Sequence, residues 1–315
     1  MHDPPAHTRP QPYHRLLRTR RFRWWKPLLG LPLALACWLV AGLLLLLPAV
    51  LFTVVGDPSL TLDPVGDWLT GDSPVALLIG NLSLAALIPA AWAAVALVHR
   101  DRIGWLSSVA GRLRWGLLIR MSLLAVALVG VGLGVSFLLP EEAAAASQGP
   151  EPAFPGLGSF VALASVILLT TPLQAAGEEY LFRGYLGQVL GAWVRSPWFG
   201  GVVTSTLFAL AHGQQDAWLF ADRFLFGAVA WWLAVRTGGL EAPIALHAVN
   251  NVLGLLLAAA FGQVGASLMA TDLPWTYAVA DACVVLAFGV LAARLAAHRE
   301  MRTRSDAPLA AVGAG

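Results

Sequence analysis

The sequence predicts an all-α fold, a polytopic bundle of about eight transmembrane helices. Three observations predict it. Of 315 residues, 58% are hydrophobic and only 12% charged, about half the charged fraction of an ordinary soluble domain. Mean hydropathy is +0.71. Apolar runs of about 20 residues recur along the chain, each enough to cross ~30 Å of hydrocarbon.

The first 26 residues carry seven basic residues, from Arg9 to Lys26, and one acid, Asp3. The apolar run that follows, roughly 28–55, is too long for the hydrophobic stretch of a secretion signal, and no small-residue cleavage site follows a short one. It reads as a retained first span. Residues 57–73 hold Asp57, Asp63, Asp67 and Asp72 and no Lys or Arg. A second span, roughly 75–98, leads to a basic loop with Arg100, Arg102, Arg112 and Arg114. The third span is roughly 116–139. The acidic, Pro- and Ala-rich segment 140–156 has the composition of a flexible loop.

A fourth apolar run begins near 158 and scarcely stops before 194. Runs at roughly 197–213, 217–236, 242–262 and 276–297 complete eight. The tail from His298 adds Arg299, Arg302 and Arg304, then small residues expected to be disordered. Basic segments alternate with segments lacking Lys and Arg. The positive-inside rule therefore places both termini and the 100–114 loop in the cytoplasm of a multi-pass plasma-membrane protein. An even number of spans agrees with that. A net charge of +2 gives no basis for a nucleic-acid partner. Cys37 and Cys283 lie inside apolar runs and read as small buried hydrophobes rather than a disulfide or metal pair.

Ionisable groups inside a membrane each cost at least a few kcal/mol, so they mark candidate functional positions. The first constellation is GEEYLFRGYL, residues 177–186. Glu179 and Arg183 are four apart on a helix and can pair, acid N-terminal to base. Glu178 is turned about 100° away and has no local cation. The second is FALAH, with Phe208 and His212 on one face. The third is HAVNN, with His247 and Asn251 able to point at one spot. Each has an ordinary structural explanation: an interfacial helix end, a hydrogen-bonded histidine, a polar pair joining two helices. Asp281, alone in the last span, and Asp222 with Arg223 read as packing groups or local pairs.

Taken in order, Glu-Glu-x-x-x-Arg at 178–183, Phe-x-x-x-His at 208–212 and His-x-x-x-Asn at 247–251 resemble the CPBP family of intramembrane proteases. That family includes the type II CAAX prenyl endopeptidases and the bacterial Abi and bacteriocin-processing relatives. The resemblance covers roughly 158–262 and implies a catalytic core of spans four to seven. A basic segment (1–26) and spans one to three (27–157) precede it; the last span and tail (263–315) follow. It also implies a site in a cavity between helices, open to the cytoplasm. By motif, Glu178 is implied as the general base that activates water and His212 as its partner. His247 and Asn251 are implied as oxyanion stabilisers, with Glu179, Arg183 and Phe208 in support.

The implied function is an endopeptidase acting on a protein or peptide substrate at the lipid bilayer. Burial raises a carboxylate's affinity for protons, which suits a base, and an Asn and a neutral His are suitable oxyanion donors. No cofactor is expected. Zinc is the alternative, with Glu178, His212 and His247 as three ligands; the sequence lacks His-Glu-x-x-His. A non-catalytic immunity or scaffold protein of the same fold is the second class. A transporter is the third, disfavoured because matched inverted halves are absent. Oligomeric state is not legible. Flat spans leave one conflict: His212 falls near the outer end of span five and His247 near the inner end of span seven. Meeting Glu178 at one depth requires broken helices or different boundaries, and the boundaries are expected to give way.

Overall fold

The computed structural model describes residues 7–56, 73–139, 152–298 and 301–306. The acidic stretch 57–72 and most of the Pro- and Ala-rich loop (140–151) lie outside the described residues. Everything regular in the described residues is helical: α1 (Lys26–Gly56), α2 (Pro74–His99), α3 (Trp115–Ser136), α4 (Leu157–Trp193), α5 (Pro197–Leu210), α6 (Ala217–Thr237), α7 (Glu241–Ala260), the short α8 (Val264–Leu268) and α9 (Trp275–His298).

Seven of these are long and apolar enough to cross a membrane; α5, at 14 residues, is shorter. Their apolar side chains face outward in numbers no water-soluble bundle tolerates. Leu43, Leu44, Leu123 and Leu169 are each exposed by about two-thirds or more. Such a belt is stable only against hydrocarbon. Cys283 belongs to this outward surface and Cys37 is half-buried, both free thiols, so neither is the buried hydrophobe the sequence suggested.

Chain ends and turns fix which end of each helix lies where. Pro12 bridges Arg304, and Ser108 bridges Gly239. Tyr13 Oη donates to the Leu106 carbonyl at 2.5 Å, and His14 contacts the Arg195 carbonyl. The first and last described residues, the 100–114 loop, the α4–α5 turn and the α6–α7 turn therefore share one end of the bundle, here the terminal end. At the opposite end, Ala153 donates to Phe261 and Asp216 to Thr271. Both chain ends on one side require an even number of passages, and α5 supplies the eighth.

Arg114 ties the terminal end together. Its Nε and Nη2 donate to the two carboxylate oxygens of Glu241 at 2.9 and 2.7 Å. It also reaches the carbonyls of Thr237 and Arg302. Glu241 is fully buried, so breaking this forked pair would cost several kcal/mol. Ser305 is held here: its N–H donates to the Gln11 carbonyl, and its Oγ accepts from the Gln11 N–H; the small residues beyond 306, expected to be disordered, lie outside the described residues. An apolar layer that includes Tyr13, Leu16, Leu17, Leu106, Tyr180 and Leu240 closes this end.

Candidate active site

α4 is 37 residues long, about 55 Å at 1.5 Å per residue, more than one crossing requires. Its surplus lies against the terminal-end layer, where Arg18 Nη1 donates to the Ala192 carbonyl at 2.6 Å. The helix changes to a π-helical turn over Tyr180–Leu186, directly after the two glutamates. Such turns recur at functional sites because they re-aim side chains within a helix.

The two glutamates diverge as the 3.6-residue period requires. Glu179 is fully buried and accepts from Arg183 Nη1 at 2.8 Å. The Arg183 guanidinium also lies 4.2 Å from the centre of the Phe208 ring, a cation–π contact that helps stabilise a charge with no solvent. The same Glu179 oxygen lies 2.8 Å from His247 Nδ1. Glu178 faces the other way. Its Oε1 accepts from Gln174 Nε2 at 2.9 Å, and its buried Oε2 has no hydrogen-bond partner among the described residues. His247 Nε2 lies 3.5 Å from that Oε2.

Asn251, one turn beyond His247, donates to Gln174 Oε1 at 3.2 Å. Gln174 thus links Asn251 to Glu178, a role the sequence reading missed. Its signal was present: an amide one turn before Glu178 in an otherwise apolar stretch. His212 engages the Phe208 carbonyl through Nδ1 at 2.7 Å, leaving Nε2 for the cavity. Phe208 sits at the centre, edge-on to both His212 and His247.

All four residues implied as catalytic line one cavity of about 400 Å³. The depth conflict resolves through α5. The helix stops at Leu210, not 213, and Gly213 turns the chain at φ +81°. His212 therefore hangs from a loop beside the cavity. Glu178 and His247 form the floor, His247 six residues into α7 from the terminal end. Below them, Glu179 and Arg183 are fully buried against the apolar layer of the terminal end. Above them, the lining climbs past Asn81 and Leu255 to Ser267 and Leu268, and Leu268 is half-exposed. The cavity opens at the end opposite the termini. A cytoplasmic opening, as the resemblance implies, and cytoplasmic termini are therefore mutually exclusive in this chain.

Asp222 on α6 and Asp281 on α9, read separately from sequence as packing groups, instead line the same upper part of the cavity. Arg223 turns to Gln215 Oε1 at 2.9 Å.

Among the described residues no three His, Cys, Asp or Glu side chains gather as a metal set. Each histidine does hold its Nδ1 in a hydrogen bond with Nε2 left over, an orientation used by metal ligands and proton carriers alike. Glu178, His212 and His247 share a cavity without converging on a point. Chemically, the floor presents acceptors (Glu178 Oε2 and, in neutral imidazoles, two Nε2 atoms) beside an amide donor on Asn251. That combination suits a water molecule giving up a proton.

The type II CAAX prenyl endopeptidase Rce1-like family matches residues 160–253, a stretch holding every motif residue above. An uncharacterised 24.3 kDa protein of Escherichia coli is 35% identical over 166 residues, covering 51% of this chain and 73% of that protein. The uncharacterised protein YyaK of Bacillus subtilis (strain 168) is 24% identical over 220 residues, 68% of this chain and 71% of YyaK. No solved structure matches. With three motifs on one cavity floor and this similarity, the chain belongs to the type II CAAX prenyl endopeptidase Rce1-like family.

Proposed function

We propose that this protein is an intramembrane endopeptidase that hydrolyses a peptide bond of a membrane-associated protein or peptide. The observation that carries the reading is Glu178 Oε2: buried, without a hydrogen-bond partner among the described residues, on the floor of a cavity and 3.5 Å from His247 Nε2. A carboxylate held this way is expensive unless it has work to do.

In the proposed reaction Glu178 Oε2 takes a proton from water as the water oxygen attacks the scissile carbonyl carbon. His212 positions that water. The carbonyl oxygen gains negative charge and accepts hydrogen bonds from the Asn251 amide and from His247. The proton on Glu178 then passes to the departing nitrogen, the C–N bond breaks, and an acid and an amine leave. General base catalysis contributes about 10²–10⁴-fold, and each oxyanion donor on the order of 3 kcal/mol.

His247 requires one refinement. A carboxylate only accepts, so the Glu179 contact fixes the proton on Nδ1. A neutral His247 then offers a lone pair, not a donor, at Nε2. It stabilises an oxyanion only as an imidazolium.

No step here passes through a metal. In this reading the protein lies in the plasma membrane with both termini cytoplasmic, as the charge bias supports, and substrate reaches the cavity from the other face. A prenyl group is not part of the reading, because no observation calls for one. The test is cleavage of membrane-peptide substrates by the purified full-length protein. Wild type should cleave and Glu178→Gln should not; equal cleavage by both would remove the proposal.

A further inference from the structure

A second cavity, of about 890 Å³, lies at the terminal end where α1 begins and α2 stops. Arg20, Arg21, Arg23, Lys26 and Arg100 line it, and no Asp or Glu does. Two of these cations have structural tasks. Arg21 Nη1 donates to the Arg100 carbonyl at 2.5 Å and Lys26 Nζ to the His99 carbonyl at 2.8 Å. They cap the unpaired carbonyls and negative dipole end of α2. The nearby acid Asp101 accepts from Thr19.

Three guanidinium groups remain. Arg20 makes no hydrogen bond or ion pair among the described residues. Arg23 reaches only the adjacent Phe22 carbonyl. Arg100 has φ +58°, the one non-glycine residue with positive φ among those described. That conformation is disfavoured for a residue with a Cβ, and Arg100 lines the cavity wall. Beneath the charges, Leu29 and Leu97 line the same cavity and are 57% and 66% exposed. Trp25 also lines it and is exposed, as aromatic residues are at a membrane interface.

From this arrangement we propose that the cavity binds the headgroup of an anionic phospholipid. The phosphate sits among Arg20, Arg23 and Arg100, and the acyl chains lie along Leu29 and Leu97. A soluble phosphate would satisfy the guanidinium groups but leave the apolar wall uncovered. Basic pockets at helix ends are a recurrent solution for such headgroups. The site is separate from the Glu178 cavity and does not depend on the protease reading.

The test uses full-length protein in nanodiscs of phosphatidylcholine alone or with added phosphatidylglycerol. Melting temperature and lipid retained in native mass spectrometry are the readouts. Phosphatidylglycerol should raise the melting temperature and be retained, while soluble glycerol phosphate should do neither. Arg20→Gln/Arg23→Gln/Arg100→Gln should weaken binding on the order of a hundredfold, from about fivefold per charge. Arg102→Gln/Arg112→Gln removes exposed charge from the same end outside the cavity and should leave binding intact. Arg20→Gln alone, at a position with no hydrogen bond or ion pair among the described residues, should weaken binding about fivefold in a protein that melts normally in phosphatidylcholine. Equal loss in the control pair, equal stabilisation by glycerol phosphate, or no preference for phosphatidylglycerol would each overturn the proposal.

Discussion

His247 Nδ1 and Arg183 Nη1 share one oxygen of Glu179, each at 2.8 Å. Glu179 is thus more than a local partner for Arg183. It fixes the ring orientation and the tautomer of a histidine whose other nitrogen faces Glu178. The helical period explains the division: adjacent residues point about 100° apart, one into the cavity and one into the protein behind it.

Glu178→Gln is expected to melt like wild type, since Gln174 can still hydrogen-bond the new amide, and to lose cleavage by orders of magnitude. Arg183→Ala should destabilise strongly, by about 3–5 kcal/mol, because it leaves Glu179 buried without its cation. Glu179→Gln should lower stability less but slow cleavage per folded molecule, because His247 loses the carboxylate that holds its proton on Nδ1. Cleavage rates normalised to folded protein, with melting curves in detergent, separate the three. A Glu179→Gln variant whose loss of activity only tracks its loss of folded protein would confine Glu179 to a structural role.

Much of this was legible in the sequence, for a physical reason. Spans announce themselves by apolar length, and the Glu179–Arg183 pair by its four-residue spacing. Contacts between distant helices carry no such signature. Gln174 looked like one uncharged polar residue until α7 brought Asn251 beside it. Asp222 and Asp281 belong to helices whose packing no spacing reveals. The end of α5 was misplaced because Ala211 and His212 continue an apolar pattern that Gly213 stops. The anchoring of Arg302 and Ser305 carried no signal because their partners, Arg114 and Gln11, come from the middle and the other end of the chain.

Gly177, the first residue of the motif, lets α4 approach α2. A Cβ there would lie 2.2 Å from the Leu84 carbonyl oxygen and 3.1 Å from Ala85 Cα. These are backbone atoms and cannot swing aside. Gly177→Ala should force the helices apart, cost about 1–3 kcal/mol, displace the neighbouring Glu178 and reduce cleavage. Gly130→Ala, where a Cβ meets nothing within 4 Å, should be neutral or stabilising by up to about 1 kcal/mol. Equal melting temperatures for the two variants would refute the close-approach argument.

Metal removal discriminates between the two uses of the histidine Nε2 atoms. With water activated by Glu178 alone, extensive chelation should leave cleavage unchanged, and elemental analysis of active protein should find substoichiometric zinc. Loss of activity on chelation, restored by stoichiometric zinc, would reassign Glu178, His212 and His247 as ligands. Inhibition by added zinc would not, since such a cavity can bind it adventitiously.

Orientation is the remaining prediction, and it decides from which side substrate arrives. The bridge between Pro12 and Arg304 puts the first and last described segments on one face. That face gathers nearly all the Lys and Arg of the described residues. Arg183 is buried within the bundle, and only Arg223, six residues into α6, lies toward the other end. A bias this large fixes orientation, so the terminal end should be cytoplasmic and the cavity mouth, with Ser267 and Leu268, should face outward. Ser107 is a poor reporter because it is buried against the Tyr180 hydroxyl at 2.6 Å. Arg102 and Gln214 are exposed at opposite ends. In a Cys37→Ala/Cys283→Ala background, Gln214→Cys should react with a membrane-impermeant thiol reagent on intact cells. Arg102→Cys should react only after permeabilisation. The reverse pattern would invert the protein and turn the mouth of the Glu178 cavity to the cytoplasm, the side the family resemblance implies, at the expense of the charge rule.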